Sequence, residues 1–254
     1  MGRHKKQKSS NLIWFIVFVI ICVLLFIFLQ NQSNLFKKET TTTSSKELDL
    51  PKTITFETKN IKDGQEKYVI NITYPNFNIS FVDQNIQKFI DKSINDFKNE
   101  FAEYEIFSDN KNSLDIYFDA YLISDKFISI RFISSIYTGG AHGNQQISTK
   151  NFDLITKREV ILKDLFKNDE YLAYLSKKAI DKFISENISN KYWIEEGVSP
   201  KYINFENFTF SIDAKNFIFH FNPYQIAPYS EGILTLEASI LELQNFLKSN
   251  ILSF

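Results

Sequence analysis

One cysteine in 254 residues rules out an intrachain disulfide and a cysteine-based zinc cluster. Histidine is nearly as rare, at three, with no H-x-x-x-H or H-E-x-x-H spacing, so no metal site and no cofactor is expected. Neither sign of charge prevails. The 29 Lys and Arg face 30 Asp and Glu, a net charge of −1, which argues against a strongly basic nucleic-acid binder. No G-x-S-x-G elbow, Walker loop or dinucleotide fingerprint occurs. Glycine and proline are few, at 7 and 5, so where they cluster matters. Phenylalanine, by contrast, is abundant at 26 residues. With 44% apolar and 23% charged residues, the composition fits a packed core and excludes wholesale disorder.

The near-zero net charge conceals a division. Leu12–Leu29 is an uninterrupted apolar run, LIWFIVFVIICVLLFIFL. At 1.5 Å per residue it spans about 27 Å, close to the hydrocarbon thickness of a bilayer. Arg3, Lys5, Lys6 and Lys8 precede it without an acid, which places the N-terminus in the cytoplasm. The exit, Phe28-Leu29-Gln30-Asn31-Gln32, lacks a small-residue cleavage pattern, so the run reads as an uncleaved signal anchor. Val19-Ile20-Ile21 before Cys22 lack the small residues of a lipoprotein site. Residues 1–11 are then a short cytoplasmic tail and 12–29 a single transmembrane helix. Residues 30–50, ending in KKETTTTSSKELDL, form a flexible linker. Residues 51–254 are the extracytoplasmic part, with a division into 51–138 and 145–254 as an alternative to one continuous domain.

Val82, Ile86, Phe89, Ile90, Ile94, Phe97 and Phe101 recur at helical spacing and predict a helix over 83–104. A second helix is expected over 169–188, with Asn168 as its N-cap. Elsewhere the period is two: strands are expected at 53–58, 67–73, 113–123, 127–137, 147–154, 208–213, 217–221 and 233–240. A closing helix is expected at 243–252. Short turns between strands predict an α+β fold with largely antiparallel sheets packed with two main helices.

Three of the seven glycines lie in Tyr137-Thr138-Gly139-Gly140-Ala141-His142-Gly143-Asn144. Two readings fit: a binding loop offering backbone N–H groups and His142, or a tight crossover between strands. Phe221–Gly232, FNPYQIAPYSEG, carries two prolines and two tyrosines. It reads as an aromatic ledge for a sugar or protein, or as a rigid connection with its tyrosines on the core. His220 alternates with Phe219 and Phe221 and is expected on the opposite, solvated face. Glu195-Glu196 read as an exposed acidic loop, since adjacent carboxylates rarely oppose each other as glycosidase chemistry needs. Residues 91–119 hold Asp91, Asp96, Glu100, Glu103, Glu105, Asp109, Asp115 and Asp119 against Lys92, Lys98 and Lys111. That surplus reads as a solvated helix face or as an attractor of basic protein.

Taken in order, IYTGGAHG (136–143), NFDL (151–154), LKDLF (162–166) and FNPYQIAPY with Gly232 resemble one family. It is the extracytoplasmic domain shared by PdaC-type peptidoglycan deacetylases and RsiV-type anti-sigma factors. The resemblance implies a sensor or binding module for an envelope ligand, a peptidoglycan fragment or a lysozyme-like protein, without catalysis of its own. The acid and H-x-x-x-H motifs of the deacetylase chemistry are absent, and the tail before Leu12 is too short to resemble a sigma-binding segment. Expected ligand-binding residues are Tyr137, Thr138, Gly139, Gly140, His142, Gly143, Tyr224 and Tyr229, with no catalytic residue. The expected location is the outer face of the cytoplasmic membrane. The alternative is a cell-wall hydrolase using His142 with a nearby carboxylate, or a deacetylase-associated envelope protein.

Overall fold

The computed structural model describes residues 54–100, 111–200 and 208–248, all within the compact unit Pro51–Phe254. The tail, the expected anchor at 12–29 and the linker lie outside the described residues, as do Glu103, Glu105 and Asp109. Among the described residues no helix is long and apolar enough to cross a membrane.

Six strands follow one another across the first sheet: β1 (Glu57–Gly64), β2 (Tyr68–Asn76), β3 (Asn112–Ile123), β4 (Phe127–Tyr137), β5 (Asn144–Asp153) and β6 (Arg158–Glu159). Every pairing is antiparallel except β2 with β3. That parallel pair departs from the short-turn expectation. It requires a crossover, and helix α1 (Ser80–Glu100) lies within it. The apolar stripe of α1 drives its docking: Val82, Ile86, Ile90 and Phe97 are buried against Ile70, Ile72, Leu114, Ile116, Ile130 and Phe132. Asp83 anchors its N-terminus by accepting from Phe77 N and Ile79 N, each at 2.8 Å.

The second sheet holds β7 (Phe210–Ile212), β8 (Asn216–Phe221) and β9 (Leu234–Ser239), all antiparallel. Its Phe210, Phe217, Phe219 and Phe221 are buried with Phe166, Tyr171 and Phe183. Around this core lie α2 (Leu162–Leu165), α3 (Glu170–Ser185), α4 (Lys191–Gly197), α5 (Ile240–Leu243) and a 3-10 turn, Tyr229–Glu231. Much of the phenylalanine surplus is placed here, in ring pairs such as edge-on Phe183–Phe221 at 5.2 Å and stacked Phe166–Tyr171 at 3.7 Å.

A polar seam joins the two sheets. Ser129 Oγ on β4 donates to Asn151 Oδ1 on β5 at 2.7 Å and accepts from Ile212 N at 2.9 Å. Asn151 Nδ2 donates to Phe210 O at 2.9 Å. Thr149 Oγ1 accepts from Phe210 N, and Asn222 Oδ1 accepts from Ile147 N. Side chains of the first sheet thus satisfy the backbone groups of β7.

Several expectations shift. The first strand is Glu57–Gly64 rather than 53–58. The first helix begins at Ser80, and the second runs Glu170–Ser185 with Asp169 as N-cap; Asn168 Oδ1 accepts from Glu170 N instead. Of the helix expected at 243–252, residues 244–248 form a turn and a bridge from Leu247 to Phe166 that follow the four-residue α5, and 249–252 lie outside the described residues. Glu195 and Glu196 sit on α4, where Asn190 caps Trp193 N, not in a loop. β5 pairs with β4 along its length, so 138–143 is a hairpin turn within one sheet.

Candidate functional site

The hairpin turn and the proline–tyrosine segment meet. Gly139 and Gly140 hold φ of 95° and 94°, a region closed to most side chains, and reverse the chain after β4. The Tyr137 hydroxyl steadies the turn by donating to Gly140 O at 3.1 Å. The reversal presents His142, whose ring stacks on Tyr229 at 4.0 Å and 15°. The Tyr229 hydroxyl donates to Gly143 O at 2.7 Å, and Tyr224 lies 5.7 Å from Tyr229. Of the expected residues, His142, Gly143, Tyr224 and Tyr229 therefore form one surface. Tyr137, Thr138, Gly139 and Gly140 shape the turn and do not join the ring stack.

Tyr224 has φ 67° and is 55% exposed. A bulky residue in this region is strained by about 1–3 kcal/mol and persists only where its surroundings over-determine it. Three bonds do so. Gln225 N donates to Asn222 O, Gln225 Oε1 accepts from Asn222 N, and Trp193 Nε1 donates to Tyr224 O at 3.2 Å. Gly197 completes the support, because a Cβ there would lie 2.2 Å from Gln225 O. Trp193 is thus a fourth aromatic of the ledge, and Tyr192 beside it is 84% exposed. Sequence reading missed both; Trp193 is 31 residues from Tyr224, and no local pattern links them. Next to the ledge, along the edge of β5, runs a cavity of 380 Å³ lined in part by Ile147, Lys150, Glu159, Phe208 and Asn222.

His220 is not solvated. β8 is covered on both faces, by the helices and by the first sheet, and His220 is 0% exposed. Its Nε2 lies 3.0 Å from Ser211 Oγ, and its Nδ1 has no hydrogen-bond partner among the described residues. Burial, aided by the Arg131 charge, lowers its pKa to about 3, so the ring is neutral. Tyr121, swung inward by a bulge between Ala120 and Leu122, meets His220 edge-on at 5.6 Å. Burial also raises the Tyr121 pKa. A serine–histidine pair sealed this way admits no substrate and belongs to the seam. Among the described residues His142 bonds no carboxylate, and no group of three or more His, Cys, Asp or Glu is placed to hold a metal. One charge of the acidic surplus is offset from outside the segment: Asp119 takes two bonds from Arg131. Asp115 accepts only from the neutral Asn71 amide, and the Lys92–Asp96 pair lies within the segment.

Residues 61–145, from β1 to the start of β5, match the family described as Deacetylase PdaC. Residues 163–238, from α2 to β9, match the family described as a protein of unknown function, DUF3298. Together the two matches and the relatives below support a DUF3298/PdaC-type family for this chain. A relative is the peptidoglycan-N-acetylmuramic acid deacetylase PdaC of Bacillus subtilis (strain 168), 26% identical over 189 residues. That match takes in 72% of this chain but only 40% of the relative's length. Two solved structures share the fold. A DUF3298-family protein of Pseudomonas aeruginosa PAO1 aligns with a TM-score of 0.56 at 16% identity, over 78% of this chain and 96% of its own. A member from Bacteroides fragilis aligns with a TM-score of 0.53 at 18% identity, over 78% and 94%. Along this chain the hairpin turn falls at the end of the PdaC match, and the ledge tyrosines fall within the DUF3298 match.

Proposed function

We propose that the chain is a cell-envelope binding module, held at the outer face of the cytoplasmic membrane by residues 12–29, whose aromatic ledge receives a wall glycan. The observation that carries this reading is the convergence of His142, Tyr229, Tyr224 and Trp193 on one surface, with Tyr224 kept in a strained, exposed conformation. Aromatic faces match the C–H faces of pyranose rings, and strain kept at an exposed aromatic is a mark of ligand sites. The peptidoglycan substrate in the Bacillus relative's name supports the choice of glycan. The module has no catalysis of its own in this reading. A deacetylase-associated role is the second reading, favoured by the match of residues 61–145 to the deacetylase family. A basic protein such as lysozyme is a weaker candidate ligand, because the Arg131 guanidinium offsets the charge of Asp119.

Membrane vesicles carrying the full chain and washed free of peripheral protein test the reading on insoluble peptidoglycan. Retention is expected, with Tyr224→Ala lowering affinity by about tenfold, as for a central aromatic anchor. Vesicles retained no better than empty ones sink the proposal.

A further inference from the structure

One carbonyl in the ledge takes two bonds. Gly143 O lies 2.8 Å from His142 Nδ1 and 2.7 Å from the Tyr229 hydroxyl. A carbonyl cannot donate, so Nδ1 must carry a hydrogen. In the neutral ring Nε2 then has a lone pair and no hydrogen. The stack on Tyr229 holds the ring plane, and the bond to Gly143 O holds its rotation. Nε2 is therefore an acceptor with a fixed aim. His142 is exposed, and no bond to Nε2 is made within the described residues.

We propose that His142 Nε2 is the specificity acceptor of the ledge, selecting an uncharged, N-acetylated sugar whose acetamido N–H donates to it. The inference rests on the ledge reading above and narrows it to one ligand class. A group meeting Nε2 must be a donor. A carboxylate, a phosphate or a ring oxygen finds no bond there, and exposed Glu231, two residues after Tyr229, discourages anions further. Among donors the amide gains most. A sugar hydroxyl can turn to other partners, including water. An amide N–H pressed onto an aromatic face loses its water and has no alternative, so an acceptor already in place decides whether it binds.

The test uses the full chain with tetra-N-acetylchitotetraose and cellotetraose as probes, followed by calorimetry and by side-chain nitrogen NMR of His142. The expected spectrum has the proton on Nδ1, and the Nε2 resonance moves when the acetamido sugar is added. His142→Asn keeps a short amide donor for Gly143 O but lacks Nε2. It should weaken the acetamido sugar by about tenfold more than it weakens cellotetraose, which loses only the ring face of His142 and no hydrogen bond. A proton on Nε2, equal changes in affinity for the two probes in His142→Asn, or equal affinity of the wild type for the two probes overturns the inference and leaves the ledge reading standing. Failure of the wild-type chain to bind either saccharide overturns both. The tautomer is read on the wild type, so it holds even if the variant misfolds.

Discussion

At the level of single residues, His220 and His142 show how placement decides what an imidazole does. His142 is exposed and offers a nitrogen outward. His220 is enclosed, with an unpartnered Nδ1 and a pKa lowered to about 3 by burial and by the Arg131 charge. An unfolded chain protonates this ring near pH 6.5, whereas the folded chain resists down to about pH 3. Below 6.5 the unfolded state therefore binds the extra proton, and stability falls as the pH falls. The loss is about 1.4 kcal/mol per pH unit and levels off below the folded value. Urea unfolding at two pH values, about 7 and about 5, should show His220→Gln losing less stability than wild type, by about 2 kcal/mol. Equal losses in the two proteins would contradict a neutral buried ring. The position was misjudged from sequence because alternation was taken to imply one wet face. β8 has none, and phenylalanines at every second position look the same in both cases.

At the level of elements, the ledge depends on α4. Gly197, at its end, lets residues 225 and 226 lie against the helix. A methyl group there meets backbone, which cannot swing aside as a side chain would. Gly197→Ala should destabilise the fold by about 1–3 kcal/mol and displace Tyr224. Thermal melting measures the first effect, and loss of saccharide affinity without any change to a contacting residue measures the second. Unaltered affinity would show that the ledge does not lean on α4. Sequence patterning found β4 at its true bounds because its buried positions and flanking turns agree. It misplaced β1, whose ETKNIKDG side chains are mostly exposed on an edge strand, leaving no alternation to read. α4 escaped notice for a related reason: only Ile194 and Gly197 are buried, too few for a helical stripe. The turn and the tyrosine segment stood out as rare clusters of glycine and proline. Their meeting, and the part Trp193 takes in it, arise from tertiary packing alone.

Across the whole molecule, two apolar cores share one polar seam. Asn151→Ala deletes the group that bonds both Ser129 and Phe210 O, and it leaves a carbonyl buried without its donor. A loss of about 2–4 kcal/mol is expected, the sum of a lost bond and an unsatisfied group. Trp193 is the single tryptophan between residues 51 and 254, so its fluorescence follows the second core, while near-ultraviolet and far-ultraviolet dichroism follow the rest. In the variant these probes should separate along a denaturant titration, the second core melting first. Coincident curves would show that apolar contacts alone couple the cores. The parallel pairing of β2 with β3 carries a consequence in time. Neighbouring antiparallel strands close through short turns within microseconds. β3 cannot join β2 until α1 has crossed over the sheet and the ends of a long loop have met, so loop-closure entropy is spent before any contact repays it. The hairpin bearing His142 is therefore ready early, and β2 and α1 join its sheet late.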